Sequence, residues 1–357
     1  MKASSVPRAL IVLVGIAGAM IVLFGLREVS SVAGPLVLAL VLVIAVSPVR
    51  SWFAARRAPA WVQVAVPFLI LVLVLLGMAG VLTIAAVQLS TLAPAYADRF
   101  EQLLTEGRAY ALSLGVSGEQ LDRTIDSFDP GRLIGIAQSL LGGVIGVFSS
   151  LFLMVVLLLA MCLDAPMTSR VLASGEGRSV ALVEALGRFA RRTRRYLIVS
   201  TVFGLINAIL DVIALYLIGV PLPLLWGVLA LIANYIPNIG FVIALLPPAT
   251  LALLDAGVRE MLLVVAAYVV FNVVTQSFIL PKFLGDAVGL STTVTFLSLI
   301  VWTFVLGPLG AILAIPLSLL AKALLIDSDP AAAWAGALIS NRAVSPPAGA
   351  TSRRSGA

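Results

Sequence analysis

The chain has 357 residues, 61% hydrophobic and 11% charged, with a mean hydropathy of +1.14 and a formal net charge of +6. A soluble domain carries about 25% charged residues, so most of this chain belongs in lipid, and its surplus arginines read as loops retained in the cytoplasm rather than as a nucleic-acid surface. It has no histidine and one cysteine, Cys162, which excludes an intrachain disulfide and the usual zinc and haem ligand sets, so neither metal nor cofactor is expected.

Apolar segments are predicted at about 9–26, 29–47, 60–89, 139–163, 196–218, 223–254, 261–281 and 291–325. About 20 residues cross a bilayer as a helix, so the fold class is an all-α polytopic integral membrane protein with about eight hydrophobic segments. Lys2 and Arg8 ahead of the first segment resemble a signal peptide. The second segment follows almost at once, so the pair reads as a transmembrane hairpin with an uncleaved first helix. With the third segment it forms an N-terminal unit, 1–89. Residues 90–138 hold four arginines against seven acids and read as extracytoplasmic. Leu92, Tyr96, Phe100, Leu103 and Leu104 recur there at helical spacing, as do Leu121, Ile125 and Phe128 beyond a Gly115-Val116-Ser117-Gly118 divider. This is a small helical cap that either packs and assembles or gates a pore.

Residues 139–178 are the fourth membrane helix and a cytoplasmic loop. Gly142, Gly143 and Gly146 in it supply small residues for packing against another copy, so a homo-oligomer is expected. Residues 179–195 form an amphipathic basic helix whose Arg188, Arg191, Arg192, Arg194 and Arg195 oppose Val183, Leu186 and Phe189. The arginines read as partners of anionic lipid head groups, with regulation through a partner as the alternative. Residues 196–326 are the core, and 327–357 a disordered, Pro/Ala/Ser-rich cytoplasmic tail. Loop charges place both termini in the cytoplasm.

The core carries the chemistry. Asp211 is the one charged residue well inside an apolar segment, 16 residues after Arg195. It either stabilises helix packing in a neutral, hydrogen-bonded form or carries a coupling proton or cation, with Asn207 one turn earlier on its face. The run Asn234-Tyr235-Ile236-Pro237-Asn238-Ile239-Gly240 interrupts an uncharged stretch, and Pro237 cannot continue a helix. Lipid tolerates open backbone only where protein surrounds it or a wet cavity meets it. A weaker echo occurs at Gly307, Pro308 and Gly310, and both interrupted segments are longer than one span, hence steeply tilted or folded back. Asn272, Thr275 and Gln276 form a polar stripe that suits helix contacts or substrate equally. No nucleotide-binding loop or catalytic constellation occurs, so an enzyme is not expected.

Gly219-Val220-Pro221, Leu225-Trp226-Gly227 and the 234–240 run together resemble the autoinducer-2 exporter family of bacterial membrane proteins. Ile279-Leu280-Pro281-Lys282, Val288-Gly289-Leu290 and the run from Gly307 to Pro316 match its later motifs. The resemblance implies about eight membrane segments with an extracytoplasmic insertion after the third, and a multi-pass protein of the bacterial plasma membrane. It further implies export of a small signalling molecule, with Na⁺(Li⁺)/H⁺ antiport in some members. The expected function is ion-driven export of a small polar solute past Asn234, Pro237, Asn238 and Gly240, closed from the other side by 307–310, with Asp211 as coupling group. The alternatives are a cation/proton antiporter and, from another class, a non-transporting membrane scaffold or permeability regulator.

Overall fold

A computed structural model describes residues 8–113, 135, 151–167, 180–237, 239–275 and 290–329. These residues form helices and turns, and no strand occurs among them. The helices are α1 (Arg8–Glu28), α2 (Ser30–Ala55), α3 (Ala60–Ser113), α4 (Leu151–Met167), α5 (Val180–Ile218), α6 (Pro223–Ala233), α7 (Gly240–Asp255), α8 (Val258–Val273), α9 (Thr292–Leu306), α10 (Pro308–Ile312) and α11 (Ala314–Lys322), the last running into a π turn, Ala323–Asp327. Among the described residues, three stretches are long and apolar enough to cross a membrane: α2, the Ala60–Ile84 part of α3, and α5. Their outer faces are apolar and exposed, as at Leu69, Leu73, Ile209 and Leu217, which is what lipid rather than water rewards.

Two joints differ from the sequence expectation. The first two helices bend at Val29 instead of reversing as a hairpin. The Val29 N–H donates to Gly25 O at 3.4 Å and the Ala33 N–H to Val29 O at 2.9 Å, so the helical pattern crosses the joint and leaves no loop in which the chain can turn. Hydropathy reads Arg27-Glu28 as a loop because it registers charge and not backbone path. At residue 90 there is likewise no break: α3 continues from its membrane part through to Ser113 as one helix of 54 residues. Apart from Gly135, the rest of the expected cap, and the glycines at 142, 143 and 146, lie outside the described residues. Tyr96 on the extension donates to Asp255 Oδ1 at 2.9 Å, tying α3 to the end of α7. Burial first, then Asp255, pushes the Tyr96 phenol up to about 12, so it remains a donor.

Both interrupted segments do break. α6 stops at Ala233, six residues turn, and α7 restarts at Gly240 so close to α6 that a Cβ there would strike the Ala233 carbonyl. Similarly α9 stops before Gly307, and a Cβ on Gly310 would strike the Trp302 carbonyl. Trp302 Nε1 donates to Ser318 Oγ at 2.9 Å, and Ser318 Oγ to Ser298 Oγ at 2.6 Å. Twenty residues of straight helix would hold Ser298 and Ser318 about 30 Å apart, so the chain has doubled back. α5 packs on both segments. Its Ala185, Phe189, Tyr196 and Leu197 share a core with Leu313, Ile315 and Leu319 of the second, while Leu215 joins Trp226, Ala230 and Ala244 of the first.

Candidate substrate cavity

α5 supplies the polar wall. Tyr196, Ser200, Asn207 and Asp211 follow one another at spacings of four, seven and four, which a helix gathers into one stripe. All four are buried, and all four line a cavity of about 560 Å³. The facing wall is the broken turn, through Asn234, Pro237 and Gly240, with Tyr268 and Asn272 of α8 beside it.

Hydrogen bonds hold the turn against α5. Asn234 Nδ2 donates to Ser200 O at 2.9 Å, and the Tyr196 hydroxyl to Tyr235 O at 3.1 Å. The Tyr235 and Thr201 hydroxyls lie 2.6 Å apart. The Tyr235 carbonyl in the turn is thus satisfied by protein, as non-helical chain in a membrane requires. Thr275 Oγ1, two residues past the end of α8, donates to Asn207 Oδ1 of α5 at 2.7 Å. Asp211 is 5% exposed and makes no hydrogen bond or ion pair with a described residue. The Tyr268 hydroxyl is also enclosed without a partner. A buried polar group left unpaired costs about 1–3 kcal/mol, so the cavity has unspent hydrogen-bonding capacity where α5 faces α8. Among the described residues its wall holds one carboxylate, several amides and hydroxyls, and no lysine or arginine. Such a wall accepts neutral polar molecules and cations and repels anions.

Of the residues singled out from sequence, Asn207, Asp211, Asn234, Pro237, Gly240 and Asn272 meet on this cavity. Asn238 and Gln276 lie outside the described residues. Gly307, Pro308 and Gly310 are not on its wall: α10 packs against α2, with Leu309 against Gly34. The second broken segment contributes Thr292, Thr295 and Ile315 instead. The two threonines, one turn apart at the start of an apolar helix, carried a faint signal. Tyr196 and Ser200 carried none beyond their place on the α5 stripe.

The basic stretch is the first half of α5, continuous with the membrane helix. Arg188 pairs with Glu184 at 3.3 Å and donates to the Asp327 carbonyl at 3.1 Å. Arg192 lies 3.7 Å from the Asp327 carboxylate, which also accepts from Lys322 Nζ at 2.7 Å. These contacts clasp α5 to the end of the second broken segment. Arg194 Nη1 donates to Ser47 Oγ on α2 at 3.3 Å, and Arg191 and Arg195 are exposed.

Residues 10–328 match the model of a family described as AI-2E family transporter. The AI-2 transport protein TqsA of Escherichia coli K12 is 31% identical over 304 residues, covering 85% of this chain and 88% of that protein. The putative transport protein YhhT of the same organism is 28% identical over 87% of this chain and 89% of its own length. A putative transport protein of Haemophilus influenzae is 30% identical over 90% and 94%. With a match across nearly the whole helical body, this chain is a membrane transport protein and belongs to the AI-2E transporter family.

Proposed function

We propose that the chain is a secondary transporter that exports a small polar solute, of the kind the name of its relative TqsA indicates, using an ion gradient. The observation that carries this reading is the meeting of the 234–240 break with the unpartnered Asp211 on one cavity of about 560 Å³, a size within the usual range for small-molecule sites. The solute lies between Asn234, Asn272 and the opened backbone, and Asp211 carries the coupling proton. Both broken segments are re-entrant hairpins. α6 has 11 residues and α7 has 16, about 16 and 24 Å of helix, and each falls short of the roughly 30 Å hydrocarbon core. The protein lies in the bacterial plasma membrane with the 56–59 turn and the Asp327 clasp on the cytoplasmic side, where arginine-rich loops are retained.

Flux of candidate solutes into proteoliposomes under an imposed pH gradient tests the proposal. Solute uptake that depends on the gradient is expected, and Asp211→Asn abolishes that dependence. If transport by Asp211→Asn keeps its pH dependence, the coupling role is wrong. A second reading, cation/proton antiport, draws on the oxygen-rich wall around the single carboxylate. It predicts sodium-dependent proton flux with no organic solute present.

A further inference from the structure

The polar stripe on α5 skips a turn. Tyr196 and Ser200 lie four apart, as do Asn207 and Asp211, and the position between the pairs at helical spacing is Gly204, which is buried. Glycine is a poor helix residue, so its place in the middle of a membrane helix calls for a spatial reason. The packing supplies one. A Cβ on Gly204 would stand 2.9 Å from Asn234 Nδ2, 3.3 Å from Asn234 Cβ and 3.2 Å from Leu231 Cδ1. The Asn234 amide occupies the volume that any other side chain at 204 would take. Gly204 does not reach the cavity wall, and Asn234 does.

The hydrogen bond at this contact depends on that space. In an α-helix the carbonyl of residue 200 is bonded by the N–H of residue 204, and Asn234 Nδ2 donates to the same Ser200 oxygen at 2.9 Å. A second donor to that oxygen therefore passes beside the Gly204 Cα. The other close approach of the same two helices is different. A Cβ on Gly227 of α6 would strike Val212 Cγ2 and stand 3.3 Å from the Ala208 oxygen, and neither Gly227 nor Val212 lies on the cavity wall. Gly227 lets two helices touch, whereas Gly204 admits one side chain.

We infer that Gly204 is a positioning residue for transport: its bare Cα is the socket that seats Asn234 against α5 and fixes where that amide stands in the cavity. The inference rests on the proposed role of Asn234 in holding the solute. An added methyl leaves the helices in place, because what it meets first is the end of a side chain that can take another rotamer. It moves the amide off the Ser200 carbonyl.

The test is a double-mutant cycle of Gly204→Ala with Asn234→Ala in the full-length protein. Its first readout is uptake into proteoliposomes of AI-2, the molecule in the name of the relative TqsA. Gly204→Ala should raise the half-saturating AI-2 concentration about tenfold, the loss expected when one hydrogen-bonding group leaves its place. In the Asn234→Ala background the same substitution should raise it no further. Gly227→Ala, the control, should lower the melting temperature and leave half-saturation as in the wild type. Effects that multiply in the double variant, or a shift in Gly227→Ala as large as in Gly204→Ala, overturn the inference. Thermal unfolding decides the same point without a substrate. Gly204→Ala should lower the melting temperature of the wild type but not of Asn234→Ala, where the methyl has room; equal lowering in both overturns the inference. Should Gly204→Ala alone fail to fold, recovery of folded protein in the double variant supports the socket, and failure of both rejects it. If the wild type takes up no AI-2, the proposed function falls, and the melting comparison still decides whether Gly204 seats Asn234.

Discussion

The two broken segments use one folding device for different ends. In each, a glycine lies against a backbone carbonyl of the preceding helix, Gly240 on Ala233 and Gly310 on Trp302, which lets the chain fold closely on itself. The first has a six-residue turn whose polar groups reach outward, Asn234 and Tyr235 bonding to α5, and it opens onto the cavity. The second has a single residue between helices. The polar side chains flanking its break, Trp302, Ser318 and Ser298, are satisfied by one another, while its tip packs on α2. A break in a membrane helix becomes part of a site when its polar groups face a cavity; where they close on each other, it is a packing device.

The comparison is sharpest at the glycines. Gly240→Ala and Gly310→Ala should each destabilise the protein by about 1–3 kcal/mol or more, because the added Cβ meets backbone that cannot rotate away; thermal unfolding in detergent measures this. A harmless Gly310→Ala would show that the two breaks are not built alike. Next in size is the contrast of Asn234→Ala with Ser318→Ala. Each leaves buried partners unpaired at about 1–3 kcal/mol, but flux per folded molecule should fall about tenfold only for Asn234→Ala, the equivalent of about 1.4 kcal/mol. Equal flux from the two variants would dissolve the functional distinction. The smallest effect is expected at the far end of the first segment. Tyr96→Phe removes the exposed bond to Asp255 and should lower stability by about 0.5 kcal/mol. Because the phenol is pushed up to about 12, the bond is fully present below pH 10 and lost between pH 10 and 12. A wild-type melting temperature that shows the same alkaline loss in Tyr96→Phe would assign that loss elsewhere.

The sequence exposed those features that are local. Pro237 between two asparagines, and glycine with proline at 307–308, announced interruptions because proline has no donor to give and lipid none to lend. Asp211 stood out by depth alone. What stayed hidden depends on chain path and on distant partners. Asp327 meets Arg188 across 139 positions, a pairing no periodicity predicts, and this is why the basic stretch read as a lipid-facing helix rather than as part of a clasp. The bend at Val29 was hidden because charged residues between apolar runs look the same whether the chain turns or continues. Thr292 and Thr295 belong to the cavity only because the second segment folds back against α5.

α5 runs unbroken from Val180 to Ile218, about 58 Å at 1.5 Å per residue. Its clasped end carries Arg192, and Asp211 lies 19 positions further on, about 28 Å away. A rod of that length is a lever. Pivoting by about 5° at the clasp carries Asp211 roughly 2.5 Å sideways, close to the length of a hydrogen bond. Loosening the grip on Asp327 can therefore reset distances across the cavity while every hydrogen bond inside the helix stays intact.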